Sequence, residues 1–313
     1  MDTSGDASGA TGAAPAPAPD DLPALALSRP AEALRSARAL AASTTEPLAL
    51  SYAHQAAGIV LRDTGETEDA LVELRAALAA ARATRDADRV ADVRATLGTA
   101  LVVAGRTRTG LRQLETAARD ARGPVRARVL MRRAALLSML GRHPEALADM
   151  RRALAGIREA GDELWEARAL NNRAGIHLEQ GSLTRAERDL DAAERLFLAT
   201  GQELESVLVA HNRGLIAYYR GDLPTALAVY DDAAARFRAL DATSGDLAFD
   251  RCVALLAAGL AGEALADADA AVADRSVAPS QRAELLLAAA LAALAAGSTP
   301  CSPPSSRPPR RPS

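Results

Sequence analysis

Few residues in this 313-residue chain could carry proton transfer, nucleophilic attack or metal binding: His54, His143, His177 and His211, with Cys252 and Cys301. No histidines stand in an H-E-x-x-H spacing and no C-x-x-C pair exists, so neither a catalytic nor a structural zinc site is written here. An imidazole beside a thiol can make a nucleophile, and His211 and Cys252 fall on neighbouring first helices of the array laid out below. Both sit mid-helix, however, and no segment alternates with period two, so no strand end presents them. Cys252 stands at a small-residue position of a helix and fits a packed core thiol. The chain has no lysine, which excludes a G-x-x-x-x-G-K-[ST] phosphate loop. These patterns predict a non-enzyme with no cofactor and no metal.

The amides carry the other chemistry. Asn172-Arg173-Ala174 returns as Asn212-Arg213-Gly214, 40 residues on. An amide donates and accepts hydrogen bonds together, as a bound peptide backbone requires. The elements that would position these amides repeat too. Glycines recur at Gly65, Gly105, Gly141, Gly181, Gly221, Gly259 and Gly297, in steps of 40, 36, 40, 40, 38 and 38. Five residues after each of the first six stands a small residue: Ala70, Gly110, Ala146, Ala186, Ala226 and Ala264. Seven before each glycine stands another: Gly58, Gly98, Ala134, Ala174, Gly214, Cys252 and Ala290. A larger residue, Leu74, Leu114, Met150, Leu190 or Tyr230, follows four positions after the first small one. Such self-similarity is the signature of a solenoid. Apolar residues recur at three and four, as in Leu71, Leu74, Ala77 and Leu78, which is the spacing of a buried helical stripe.

This pattern resembles the tetratricopeptide repeat, W-x2-L-G-x2-Y, a turn glycine, then A-x3-F-x2-A. Leu97-Gly98, Leu101, Gly105, Gly110, Leu114 and Ala117 show it well. The period is longer than the usual 34, and the first aromatic is replaced by His54, Arg94, Leu130, Leu170, Ala210 and Ala248. The resemblance implies an all-α, right-handed superhelical solenoid of about six and a half helix pairs after an opening pair. The phrases Ala53-His54-Gln55-Ala56, Leu130-Met131-Arg132-Arg133-Ala134, Leu164-Trp165-Glu166-Ala167-Arg168 and Ala210-His211-Asn212-Arg213-Gly214 resemble more closely the repeat region of actinobacterial CHAT-domain proteins. In that family such helices precede a caspase-like peptidase domain. The likeness covers roughly Leu22 to Gly297 and no peptidase domain. It implies a sensor or regulatory part of a CHAT-type system. Similar repeats in bacterial regulators with nucleotide-switch domains give the alternative, a sensor segment of a transcription regulator.

In the register of the resembled repeat, position 6 of each first helix faces a concave groove. It holds Ala56, Thr96, Arg132, Asn172, Asn212 and Asp250 here. Asn172 and Asn212 look like the groove asparagines that hold a bound chain in peptide-binding members. Arg128, Arg168, Asn171, His211 and Tyr218 are expected to share that face. The other reading of the amides, as bridges between adjacent helices, stays open. Arg133, Arg173, Arg213 and Arg251 occupy the next position and are expected to form an interhelix ladder with acids. The lysine clamp for a C-terminal carboxylate is missing. A protein or peptide is the expected partner.

Net charge is −3 and aromatic content 3%, so the core is expected to be alanine and leucine. Arg106 to Arg158 holds 13 arginines against Glu115, Asp120, Glu145 and Asp149, whereas Asp241 to Gly297 holds eight acids against three arginines. The basic stretch raises a second alternative, an arginine-rich nucleic-acid-associated scaffold, but it has no aromatics for base stacking and the whole chain is acidic. Two distant cysteines and no signal peptide point to the cytoplasm, and no membrane association is expected. Residues 1–21 are Gly-, Ala-, Pro- and Ser-rich and expected to be disordered, residues 22–297 form the solenoid, and residues 298–313 form a disordered Pro/Ser/Arg tail. The apolar last helix and the abrupt change at Ser298 suggest a truncated or frame-shifted longer protein. That helix should expose some of Leu285, Leu286, Leu287, Leu291 and Leu294 and drive self-association.

Overall fold

A computed structural model describes residues 17–240, 242–274, 277 and 279–297. A single 3-10 turn, Pro19–Asp21, lies just before the expected solenoid boundary, and the opening pair follows as α1 (Leu22–Ser28) and α2 (Pro30–Ser43). Six pairs come next. They are α3 (Pro47–Asp63) with α4 (Thr67–Ala83), α5 (Ala87–Val103) with α6 (Thr107–Asp120), and α7 (Gly123–Met139) with α8 (His143–Glu159). They continue as α9 (Glu163–Glu179) with α10 (Leu183–Ala199), α11 (Glu203–Tyr219) with α12 (Leu223–Ala239), and α13 (Gly245–Ala257) with α14 (Ala261–Ala273). The last is α15 (Pro279–Ala295). The chain is an all-α, right-handed superhelical solenoid, and no strand occurs among the described residues. The expected tail, 298–313, and all but the last five residues of the expected N-terminal segment lie outside the described residues.

Each pair turns at a predicted glycine. The backbone after α3, α5, α7, α9, α11 and α13 closes with the same bond, from the amide one past the glycine back to the carbonyl five residues earlier. Glu66 N–H donates to Leu61 O at 2.8 Å, Ser182 to His177 O at 2.8 Å and Leu260 to Leu255 O at 2.9 Å. This is the Schellman closure, which needs a left-handed residue just past the helix. Gly181 and Gly221 supply it with φ of 68° and 78°.

The small positions let the two helices of a pair touch. Leu74, Leu114, Met150, Leu190 and Tyr230 are all fully buried, and Leu74, Leu114 and Tyr230 lie against Gly58, Gly98 and Gly214 of the preceding helix. Where the large residue is Tyr230, the facing residue is Gly214, and a Cβ there would overlap the phenol ring. First helices of successive pairs also pack on one another, from α3 on α5 through to α13 on α15. They therefore form one continuous inner layer, and side chains on their free stripe share a single face. On α15, Leu285 is buried while Leu286, Leu287, Leu291 and Leu294 are exposed. No helix among the described residues is long and apolar enough to cross a membrane.

Candidate functional site

On the inner face of the first half of the array lies a groove of about 550 Å3, lined by Pro23 and Leu27 of α1, Tyr52 of α3, and residues of α5, α7 and α9. Two stripes in register line it. One runs through Arg89, Val125 and Trp165, the other through Tyr52, Asp92, Arg128 and Arg168. The stripes lie three residues apart on each helix and so share one helical face. Asp86 and Asp162 cap α5 and α9, accepting from Asp88 and Arg89 N–H and from Trp165 N–H, and this fixes where the first turn of each helix enters the groove.

A buried polar seam ties three of these helices together. Arg89 is almost wholly buried. Its guanidinium lies 3.8 Å from the Tyr52 ring centroid, donates to Ser51 Oγ at 2.6 Å and pairs with Asp92 at 3.1 Å. Burial is the main cause that lowers its pKa from the ordinary arginine value. Asp92 also accepts from Gln55 Nε2 at 2.9 Å and from Arg132 Nη1 at 2.7 Å. Burial opposes its ionisation, but Arg132, Gln55 and Arg89 outweigh that and hold its pKa at about 2. Asp92 is thus an anion at neutral pH, and Arg132 is spent on it.

Trp165 lies between two arginines, 5.6 Å from Arg128 and 5.3 Å from Arg168, within the range of attraction between a cation and an indole face. Arg168 is also bonded to Glu205 of α11 at 2.7 Å. Arg128 holds no carboxylate and donates no hydrogen bond among the described residues. The groove therefore offers an aromatic platform beside one uncommitted cation.

Of the expected groove residues, Arg128, Arg132 and Arg168 come together here. The others lie elsewhere on the array. Asn212 Nδ2 donates to Asn171 Oδ1 at 2.8 Å, so these amides bridge α11 to α9. Asn172 is exposed on α9. His211 is buried, 2.7 Å from Asp250 Oδ2, with its ring edge-on to Tyr230. Tyr218 is partly buried and packs on Tyr219. The second half of this face is thus knitted by helix-to-helix polar bonds. Cys252 is buried, donates to Ala264 O at 3.4 Å, and has its pKa raised by burial.

The arginine ladder forms as expected. Arg133 grips Asp149 through two bonds of 2.6 and 2.7 Å, and Arg173 grips Asp189 in the same way at 2.7 and 2.6 Å. Arg213 pairs with Asp191 and Glu194, and Arg251 with Asp231 and Asp267. Sequence reasoning missed Tyr52, Arg89, Asp92 and Trp165. Extending the groove stripe by one and two helical turns toward the N-terminus of each first helix, that is by four and seven residues, finds all four.

The tetratricopeptide repeat family model matches residues 125–199, which span α7 to α10. No curated protein matches the sequence. Several solved structures share the fold. A tetratricopeptide repeat protein from Parabacteroides merdae ATCC 43184 aligns at a TM-score of 0.56 and 16% identity, over 86% of this chain and 98% of its own. NprR in complex with its cognate peptide NprX aligns at 0.62 and 16% identity, over 88% and 83%. A Rap protein complexed with competence and sporulation factor aligns at 0.55 and 15% identity, over 82% and 76%. Residues 125–199 thus match the tetratricopeptide repeat, and the array as a whole shares its fold with these structures.

Proposed function

We propose that this chain is a non-catalytic interaction scaffold that holds a peptide or protein segment along the inner face of α3, α5, α7 and α9. The observation that carries this reading is Trp165 set between Arg128 and Arg168 in an open groove, with Arg128 unpaired. A partly buried tryptophan and an arginine are residue types that anchor interfaces. The structural likeness to NprR with its cognate peptide and to a Rap protein complex supports a bound peptide as the occupant. The sequence resemblance to CHAT-associated repeats supports a place as the regulatory part of a cytosolic caspase-like system. The exposed leucines of α15 support self-association. Loss of concentration dependence in sedimentation on Leu287→Glu with Leu291→Glu would establish that part, and an unchanged profile would remove it.

The chain has one tryptophan, and it is Trp165, so binding in the groove has a built-in reporter. Peptides selected from a random library on the intact protein should shift its emission. Arg128→Ala and Trp165→Ala should each weaken them about tenfold or more. Asn172→Ala with Asn212→Ala should cost a few kcal/mol at most, since each lost hydrogen bond is worth about 0.5–1.5 kcal/mol. Selected peptides that bind both groove variants as tightly as the unaltered protein would overturn the assignment.

A further inference from the structure

Away from the groove, successive second helices enclose troughs floored by the first helix between them, and two adjacent troughs differ in charge. The trough between α6 and α8 contains the Arg133–Asp149 pair with Glu115, Glu145, Arg142 and Arg152 around it. Arg142 is bonded to Glu145 at 2.7 Å, and Arg152 lies 3.7 Å from Asp149. Three arginines thus meet three carboxylates.

The next trough, between α8 and α10, contains the equivalent Arg173–Asp189 pair. In register, Arg151 stands where Glu115 does, Arg185 where Glu145 does, and Arg188 where Ala148 does. None of these three arginines makes a hydrogen bond or ion pair among the described residues, and Asp189, already held by Arg173, is the one carboxylate in the lining. Arg185 lies in the first turn of α10, where the helix dipole disfavours a cation; the first turn of α8 carries Glu145 instead. His177 replaces Leu137 on the floor. Its side chain is 10% exposed, and its Nδ1 is buried without a partner among the described residues.

Three like charges gathered at one cleft repel each other and favour no part of the fold. They lower the free energy only when an anion arrives. The cleft is about 560 Å3, within the usual range for small-ligand sites. Guanidinium groups suit phosphate oxygens through paired N–H donors. Toward α11 the charge is cancelled, with Arg220 bonded to Glu187 and Arg213 to Asp191 at 2.8 Å, as it is in the preceding trough by the pairs above. A long nucleic-acid backbone would find no continuous basic track, whereas a compact polyanion would fit.

We propose that the trough between α8 and α10 is a binding site for a small diphosphate-bearing ligand, its oxygens held by Arg151, Arg185 and Arg188. A diphosphate carries about three negative charges near neutral pH, matching the three free guanidinium groups, where a single carboxylate would leave two unmet.

The test is calorimetric titration of the full chain with inorganic pyrophosphate and, separately, with a nucleoside diphosphate, at about 0.15 M salt. One pyrophosphate should bind per chain. Arg151→Glu and Arg185→Glu, which restore the residues of the preceding trough, should each weaken binding at least tenfold. Arg106→Ala, at a surface arginine paired with Glu68, should leave it unchanged. Without ligand, Arg185→Glu should melt no lower than the unaltered protein, because it removes repulsion; this separates lost binding from lost folding. Tighter binding of the nucleoside diphosphate would place a nucleotide in the cleft, and equal binding would place the diphosphate alone there. The proposal fails if pyrophosphate does not bind, or binds both Glu variants undiminished. It fails equally if sulfate competes as well as pyrophosphate, or if duplex DNA binds more tightly than either ligand.

Discussion

Asp92 shows what one side chain does for three helices. It is 17% exposed in its side chain and takes bonds from α3, α5 and α7. Its folded pKa of about 2 lies below the ordinary 3.8, so the folded chain binds this proton less readily than the unfolded one. Its contribution to stability is therefore complete above about pH 4 and is lost as pH falls through about 2. That contribution is about 2 kcal/mol from the linkage of the two pKa values. Asp92→Asn should destabilise the protein by a similar amount at neutral pH and flatten the acid limb of its unfolding profile between those limits. Urea melts at pH 3 and pH 6 would show it; an unchanged slope would mean that another carboxylate governs the acid limb. Asp92 was not legible in advance. Its register partners are Tyr52, Arg128 and Arg168; only the two arginines repeat, so no letter common to the stripe pointed to position 92. Asn172 and Asn212 did repeat, yet one is exposed and the other is spent on Asn171. Identity of type across repeats marked a register position, and contact with a ligand does not follow from that.

At the scale of elements, the turns within pairs were legible and the turns between pairs were not. All seven predicted glycines have positive φ, from 68° to 89°. Between pairs the left-handed position is filled by Gly161 and Gly201, but by Arg85 with φ of 60° in the turn from α4 to α5. A non-glycine residue there is strained by about 1–2 kcal/mol. The fold tolerates it because Thr84 Oγ1 bonds both ends of the turn, donating to Ala81 O at 2.7 Å and accepting from Asp86 N–H at 3.1 Å. Arg85→Gly should relieve the strain while adding some freedom to the unfolded chain. The net expected gain is about 0.5 kcal/mol, seen as a melting temperature higher by a degree or two. A lower melting temperature would show that the exposed Arg85 side chain stabilises the turn in a way its contacts do not reveal.

Across the whole molecule, each pair touches only its neighbours, so stability is local and nearly additive along the array. The buried residues reflect this. One continuous core runs from Ala91 to Ile216, while separate clusters hold Val207 to Ala254 and Cys252 to Ala292. The charge asymmetry of the sequence is sorted by the same architecture: the ladder cancels Arg133, Arg173, Arg213 and Arg251 against facing acids. Only the three-dimensional pairing shows which arginines are left over. A lesion in one pair should therefore travel one way along the array. Gly214→Leu would force a side chain into the Tyr230 ring, which is fully buried, and overpacking of this kind costs about 1–3 kcal/mol. Hydrogen exchange should then rise across α11 to α15, where the cores are small, while α5 to α8 keep their protection. Gly214→Ala with Tyr230→Leu recreates the arrangement of Ala174 with Leu190, and that double variant should keep most of the stability that Gly214→Leu loses. Uniform loss of protection from α1 to α15 after Gly214→Leu would mean that the array opens as a single cooperative unit, and the nearest-neighbour account would fall.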